Sequence, residues 1–186
     1  MNNFKPLLNL PIYSNLLTEF KMIDIMWKAN QICLTSVPGQ EDNCYLGCGS
    51  LYYDWSTQRT EIDDNGTEKI VVDTFENPLH DIDFTELCTM FKGTLFENIY
   101  NELSEQYNIG RVRLIKSSPK TTMTWHVDDT LRIHYPIKTQ DGCFMIIDNE
   151  VKHLPVNSWW MTNTTKCHTA VNASKEDRIH LIVNVL

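Results

Sequence analysis

Membrane insertion, export and nucleic-acid binding are the first functions this sequence argues against, because it lacks what each requires. No run approaches the roughly eighteen consecutive apolar residues of a spanning helix, so no membrane segment is expected. The opening residues, Met1-Asn2-Asn3-Phe4-Lys5-Pro6, lack a basic stretch followed by an apolar core, so a cytoplasmic setting is expected. Basic charge is also scarce. Sixteen Lys and Arg face 24 Asp and Glu, a formal charge of −8, and a nucleic-acid backbone calls for a basic stripe. The local exception is Arg111, Arg113, Lys116 and Lys120. The two arginines share a strand face that is expected to be a solvated outer one. The alternative is a patch that steers an acidic substrate.

A zinc framework is missing too. Of six cysteines, only Cys44 and Cys48 are closely spaced; Cys33, Cys88, Cys143 and Cys167 stand apart. A structural zinc site needs four ligands, so these read as ordinary reduced thiols. There is no internal repeat and no low-complexity segment. At 186 residues the chain suits one well-buried domain spanning 1–186, and nothing in it specifies an oligomeric state.

The hydrophobic pattern changes near residue 110. Before it, Leu16, Leu17, Phe20, Ile23, Met26 and Trp27 fall near helical spacing within Asn15 to Ala29. Residues 39–66 are rich in Gly, Asn, Asp and Ser, which reads as loop or short hairpin, with a turn at Asp64-Asn65-Gly66. Lys69 to Thr74 reads as a short strand. Phe84 to Tyr107 carries apolar residues at intervals of three or four and predicts a helix, capped by Asp83 or Thr85 and closed by Asn108-Ile109-Gly110. From Arg111 onward, eight short apolar or alternating runs are separated by turn residues. They are Val112–Lys116, Thr121–Val127, Leu131–Ile137, Cys143–Ile147, Val151–Leu154, Ser158–Met161, Cys167–Val171 and Ile179–Val185. That spacing predicts a jelly roll or a similar closed β architecture.

The chemistry concentrates in this second part. In a strand, His126 and Asp128 point to one face, because side chains alternate with period two. A distant His168 can complete a triangle of two imidazoles and one carboxylate. That is the donor set of a non-haem Fe(II) site with open positions. Arg178 lies ten residues beyond His168 on the last apolar run, where a guanidinium can grip a carboxylate through two hydrogen bonds. His153 and His180 read as structural. Of Trp159 and Trp160, at most one can face a barrel interior; Trp125 is a further candidate for a substrate wall. Asn172 and Ser174 either shape the approach to Arg178 or satisfy backbone groups.

Two motifs, H-V-D-D-T-L-R-I-H-Y-P-I at 126–137 and H-T-A-V-N-A-S-K-E-D-R at 168–178, carry a family resemblance. From about Arg111 to Val185 the chain resembles the Fe(II)/2-oxoglutarate-dependent dioxygenases, and most of all the aspartyl/asparaginyl β-hydroxylase and proline hydroxylase branch. The resemblance implies a mainly β, double-stranded β-helix core (jelly roll, cupin-like) over 111–186, buttressed by helices from a region, 1–110, packed on the barrel. It implies Fe(II) held by His126, Asp128 and His168. It implies 2-oxoglutarate held at its distal carboxylate by Arg178 and approached near the metal by Arg132 and His134, with O2 as the oxidant. Some relatives lack the carboxylate ligand; this chain keeps Asp128, as the free-proline hydroxylases do. It has Ser118-Pro119-Lys120 where a Pro-Gly turn is usual. The expected activity is hydroxylation of an amino acid, free or within a peptide or protein, with no nucleic-acid or membrane partner. The alternative from another class is a cupin-type metal-binding module or isomerase without oxygenase activity, which has no use for a carboxylate clamp at Arg132 and Arg178.

Overall fold

A computed structural model of the chain describes residues 2–23 and 26–186. Before residue 109 the elements are β1 (Phe4–Pro6), α1 (Leu16–Met22), β2 (Gln31–Cys33), β3 (Thr35–Ser36), β4 (Tyr53–Ile62), β5 (Glu68–Thr74), β6 (Glu86–Leu87) and α2 (Leu95–Gln106). Eight strands follow: β7 (Ile109–Ser117), β8 (Thr121–Thr122), β9 (Leu131–Lys138), β10 (Cys143–Ile147), β11 (Glu150–Lys152), β12 (Trp160–Thr162), β13 (His168–Asn172) and β14 (Arg178–Val185).

Those eight strands make a jelly roll. One sheet runs β12-β9-β14-β7, extended at its ends by β1 and β2; the other runs β11-β10-β13-β8. All of these pairings are antiparallel. Only β10 and β11 are joined by a hairpin; the other connections between consecutive strands cross from one sheet to the other. The molecule is mainly β and its core is a cupin-like double-stranded β-helix, as the strand spacing predicts.

Strict alternation gives the larger sheet two unlike faces. Ile133, Tyr135, Ile137, Leu114, Leu181 and Val183 are buried in a single apolar core with Phe96, Ile99 and Leu103 of α2 and Leu16 of α1. The opposite face carries Arg132, His134, Arg178 and Ile182, which line the space between the two sheets together with Met145, His168 and Ala170.

Two helices are shorter than their apolar spacing predicts. The Phe84–Tyr107 segment becomes helical only at Leu95. Gly93 takes a left-handed φ of 76°, and the Thr94 side chain, in place of Asp83 or Thr85, accepts from Phe96 N–H at 3.1 Å. Upstream, Glu86 and Leu87 instead pair with β3. In the Asn15–Ala29 segment the helix ends at Met22, where Ile23 turns extended. Asp24 and Ile25 lie outside the described residues. Ala29 and Asn30 then adopt positive φ and turn the chain into β2. The Gly-, Asn- and Asp-rich region contributes a longer strand than its composition suggests: β4 pairs with β5 as a solvent-exposed hairpin, closed where Gly66 N–H donates to Asp63 O. No described helix is long and apolar enough to cross a membrane.

Candidate metal centre and its flanking arginines

The expected strand Thr121–Val127 is regular only at Thr121–Thr122, but its far end rejoins the sheet at one bridge. His126 N–H donates to His168 O at 3.1 Å and His168 N–H donates to His126 O at 2.9 Å. Directly opposed residues of an antiparallel pair present their side chains on one face. The two imidazoles therefore stand side by side, with ring centroids 4.2 Å apart. Asp128 follows two residues later on the same face, its N–H tied to Thr164 O at 2.9 Å. Asp129 is exposed.

The ligating atoms of His126, Asp128 and His168 all lie within 4.8 Å of one another. His126 Nδ1 is 2.7 Å from Thr124 O and His168 Nδ1 is 2.9 Å from Lys166 O. A carbonyl can only accept, so each Nδ1 carries a proton and each ring turns its Nε2 inward. Between them sits Asp128, its Oδ2 3.3 Å from His168 Nε2, buried and without a hydrogen-bond donor. Arg132 Nη2 holds the other oxygen at 2.6 Å. Burial pushes the Asp128 carboxyl up, but His168, Arg132 and His126 outweigh it and hold the group below the ordinary carboxylate range. With both Nε2 atoms unprotonated, the three inward groups offer two nitrogens and a carboxylate oxygen to one point. The residues present fit a divalent ion.

Behind the triad, Arg178 and His134 line the same narrow cavity as His126, Arg132 and His168. Arg178 is buried, and no described carboxylate pairs with it. Its Nη2 donates to His180 Nδ1 at 3.0 Å, and burial lowers the guanidinium to about 10. His180 Nδ1 in turn lies 3.5 Å from His134 Nδ1. Burial first, and then Arg178, push both imidazoles well below their ordinary range, so both are neutral. His180 is thus the residue that sequence reasoning undervalued. The signal was available: Arg178-x-His180 on β14 repeats Arg132-x-His134 on the neighbouring β9, and each pair shares a face.

Arg111 and Arg113 overturn an expectation. They do not lie on a solvated outer face but are buried, 5% and 4% exposed. The polar face of β7 is the inside of the barrel. Both line an open cavity of about 540 Å³ with His126, Asp128 and Arg132. Asn172 does the backbone work allowed for it. Its Nδ2 donates to Ser117 O and Glu176 O, and its Oδ1 accepts from Ser174, which fixes the turn into Arg178. None of the three tryptophans lines either cavity. Trp159 packs on Tyr135 in the helix-side core, Trp160 lies against the Phe4 cluster, and Trp125 is exposed. All six cysteines are free, and Cys33 and Cys48 face each other with their sulfurs 3.9 Å apart.

Among solved structures the chain is similar to a cupin domain from Bordetella pertussis Tohama I, at 13% identity over 41% of this chain and 80% of that one, with a TM-score of 0.37. It is similar to an oxidoreductase of the 2OG-Fe(II) oxygenase family from Burkholderia pseudomallei, at 12% identity over 51% and 53%, TM-score 0.37. It is also similar to a predicted oxalate decarboxylase from Thermotoga maritima, at 14% identity over 70% and 92%, TM-score 0.37. No curated protein matches. The fold assignment rests on the strand order itself. A family model described as aspartyl/asparaginyl beta-hydroxylase matches residues 79–186, which hold the whole jelly roll and every residue of the centre. The chain belongs to the aspartyl/asparaginyl beta-hydroxylase family.

Proposed function

We propose that the protein is an Fe(II)- and 2-oxoglutarate-dependent oxygenase that hydroxylates an amino acid or a peptidyl side chain, of aspartyl/asparaginyl or prolyl type. In this reading His126, Asp128 and His168 hold the iron by Nε2, Oδ2 and Nε2. The backbone carbonyls on Nδ1 fix both rings in the ligating tautomer. Arg132 keeps the carboxylate turned so that one oxygen faces the metal. Arg178 binds the distal carboxylate of 2-oxoglutarate, and Arg132 and His134 flank the metal-proximal end. His180, neutral and bonded to Arg178, orients that guanidinium. When bound, iron and 2-oxoglutarate supply the oxidising chemistry with O2, and the protein supplies placement and exclusion of water. Residues 1–110 act with the barrel as one unit, since α1 and α2 share its apolar core. The free thiols suit a reducing, cytoplasmic setting.

One observation carries the reading. A buried guanidinium that no described acid pairs with shares a cavity with His126 and His168, two of the three convergent metal-ligating residues. An unpaired buried charge is costly, and a cosubstrate carboxylate removes that cost. A cupin-type binder or isomerase needs the triad but gives Arg178 nothing to bind. Anaerobic addition of Fe(II) and then 2-oxoglutarate tests this: a weak visible metal-to-ligand charge-transfer band is expected only after both are present. Metal uptake with no such band would favour the cupin-type reading.

A further inference from the structure

The cavity that holds Arg178 is too small for the cosubstrate assigned to it. It measures about 20 Å³, room for one water, whereas 2-oxoglutarate is a five-carbon diacid. Its neighbour, which opens to solvent beside Asp128, measures about 540 Å³. The two abut along Ile115, Met123, His126 and Arg132, which line both. A ligand that reaches Arg178 through the open cavity has to pass these side chains. Most of them are fixed. His126 is tied by its bridge to His168 and by Nδ1 to Thr124 O. Arg132 is clamped on Asp128 at 2.6 Å. Ile115 is β-branched, which restricts its rotation, and it lies in β7 with paired strands on both sides. Met123 differs. Its backbone is held: its N–H donates to Ala170 O at 2.9 Å, and its carbonyl accepts from Thr169 Oγ1 at 2.6 Å. Its side chain is 39% exposed, unbranched and flexible. A third cavity of about 240 Å³, bounded by Lys116, Ser117 and Ser118, also has Met123 in its wall. That cavity gives the thioether somewhere to go.

We propose that the Met123 side chain is a gate between the two cavities beside the metal centre. In this structure it is closed over the inner one. Swung towards Lys116, it joins the inner cavity to the outer and admits 2-oxoglutarate to Arg178. The proposal rests on the hydroxylase reading, since the size of that cosubstrate is what makes a gate necessary. A stiff residue at this position could open the way only by moving its backbone, and the same strand carries the bridge between His126 and His168. With the movement confined to one side chain, the cosubstrate enters and the triad stays in place.

The test is kinetic. Full-length protein loaded with Fe(II) is mixed rapidly with 2-oxoglutarate in the absence of oxygen, and growth of the charge-transfer band is followed. The slope of its observed rate against concentration gives association, and the intercept gives dissociation. Met123→Ala removes the gate. It should raise both rates, roughly fivefold or more, and leave their ratio within about threefold of wild type. Met123→Ile is close to methionine in volume but stiff, and should lower both. A residue that merely packs against the cosubstrate would change dissociation and affinity and leave association alone. Association unchanged in both variants would overturn the proposal, as would affinity lost at an unchanged association rate. The variants should move in opposite directions, so the isoleucine variant decides alone if the alanine one does not fold. A band with equal rates in all three proteins removes the gate and leaves the hydroxylase reading standing. No band in wild type removes that reading, and the gate with it.

Discussion

The two faces of the larger sheet obey the same alternation and do opposite things. On β9, Ile133, Tyr135 and Ile137 turn towards α1 and α2, while Arg132 and His134 turn towards the second sheet. On β14, Leu181 and Val183 go one way and Arg178 and His180 the other. The helix-side face is held by apolar burial, which needs no partner outside the chain. The barrel-side face buries guanidinium and imidazole groups whose polar atoms are left unmatched, among them Arg113 Nε, Arg132 Nε, His134 Nε2 and His180 Nε2. One face stabilises the fold; the other is the one to which the proposed function assigns the ligands. Mutations should separate the two.

The largest expected effect is on the helix-side face. Phe96 is fully buried and packs edge-on to Phe91, ring centroids 5.4 Å apart. Phe96→Ala should cost about 3–5 kcal/mol of stability by denaturant unfolding. Metal uptake per folded molecule should not change. A variant that unfolds normally but fails to bind metal would show that the faces are coupled.

On the opposite face, Arg178→Ala should reverse the pattern. Leaving a bound carboxylate unpaired costs about 2–5 kcal/mol, roughly thirty- to several-thousand-fold in affinity for 2-oxoglutarate. Metal binding should survive, since Arg178 is not a ligand. Arg178→Lys should recover only part, because an ammonium lacks the two-pronged geometry. Succinate formed in uncoupled turnover, measured against 2-oxoglutarate concentration, reports this without the prime substrate. Unchanged concentration dependence in Arg178→Ala would remove the residue from the site.

Much of this division was legible in the chain. The eight strands after residue 108 lie close to their expected positions, because alternation and turn residues are local signals. His126, Asp128 and His168 converge because period two and one cross-strand bridge suffice. The direction of a polar face was not legible. Arg111-Val112-Arg113 reads as polar outward, and that face is buried by distant partners, Gly47, Asp81 and Phe84 over Arg111 and Gln31 and Asn184 beside Arg113. The Phe84–Gly93 stretch imitated helical spacing, but its backbone is claimed by β3, a partner about fifty residues away. His180 was undervalued because its partners, Arg178 and His134, come together only through strand pairing.

A smaller effect should come from the metal alone. A ligand that binds only the folded state stabilises it by about 2.7 kcal/mol at a hundredfold excess over its dissociation constant. Zinc binds such donor sets more tightly than Fe(II) and needs no anaerobic handling. Zinc should therefore raise the thermal midpoint of wild type, and His168→Ala should lose most of that rise. An equal rise in both proteins would place the stabilising ion elsewhere.

The smallest effect concerns the turn that carries the chain from the polar face of β7 to the strand that delivers His126. Lys120 sits there at φ 56°, its side chain is exposed, and no described acid pairs with it. A left-handed conformation costs an L-residue with a Cβ about 1–2 kcal/mol. Glycine avoids that cost, although its greater freedom in the unfolded chain returns about 0.5–1 kcal/mol. Lys120→Gly should therefore stabilise the protein by a few tenths to about 1 kcal/mol, seen as a higher denaturant midpoint at unchanged slope. Lys120→Ala keeps the Cβ and should gain nothing. Lys120→Pro cannot adopt positive φ and should be strongly destabilising. Since the turn bears on neither face directly, zinc affinity should be the same in the glycine variant and wild type. A glycine variant that gains stability and loses zinc would mean that the lysine turn itself sets the angle at which His126 meets His168.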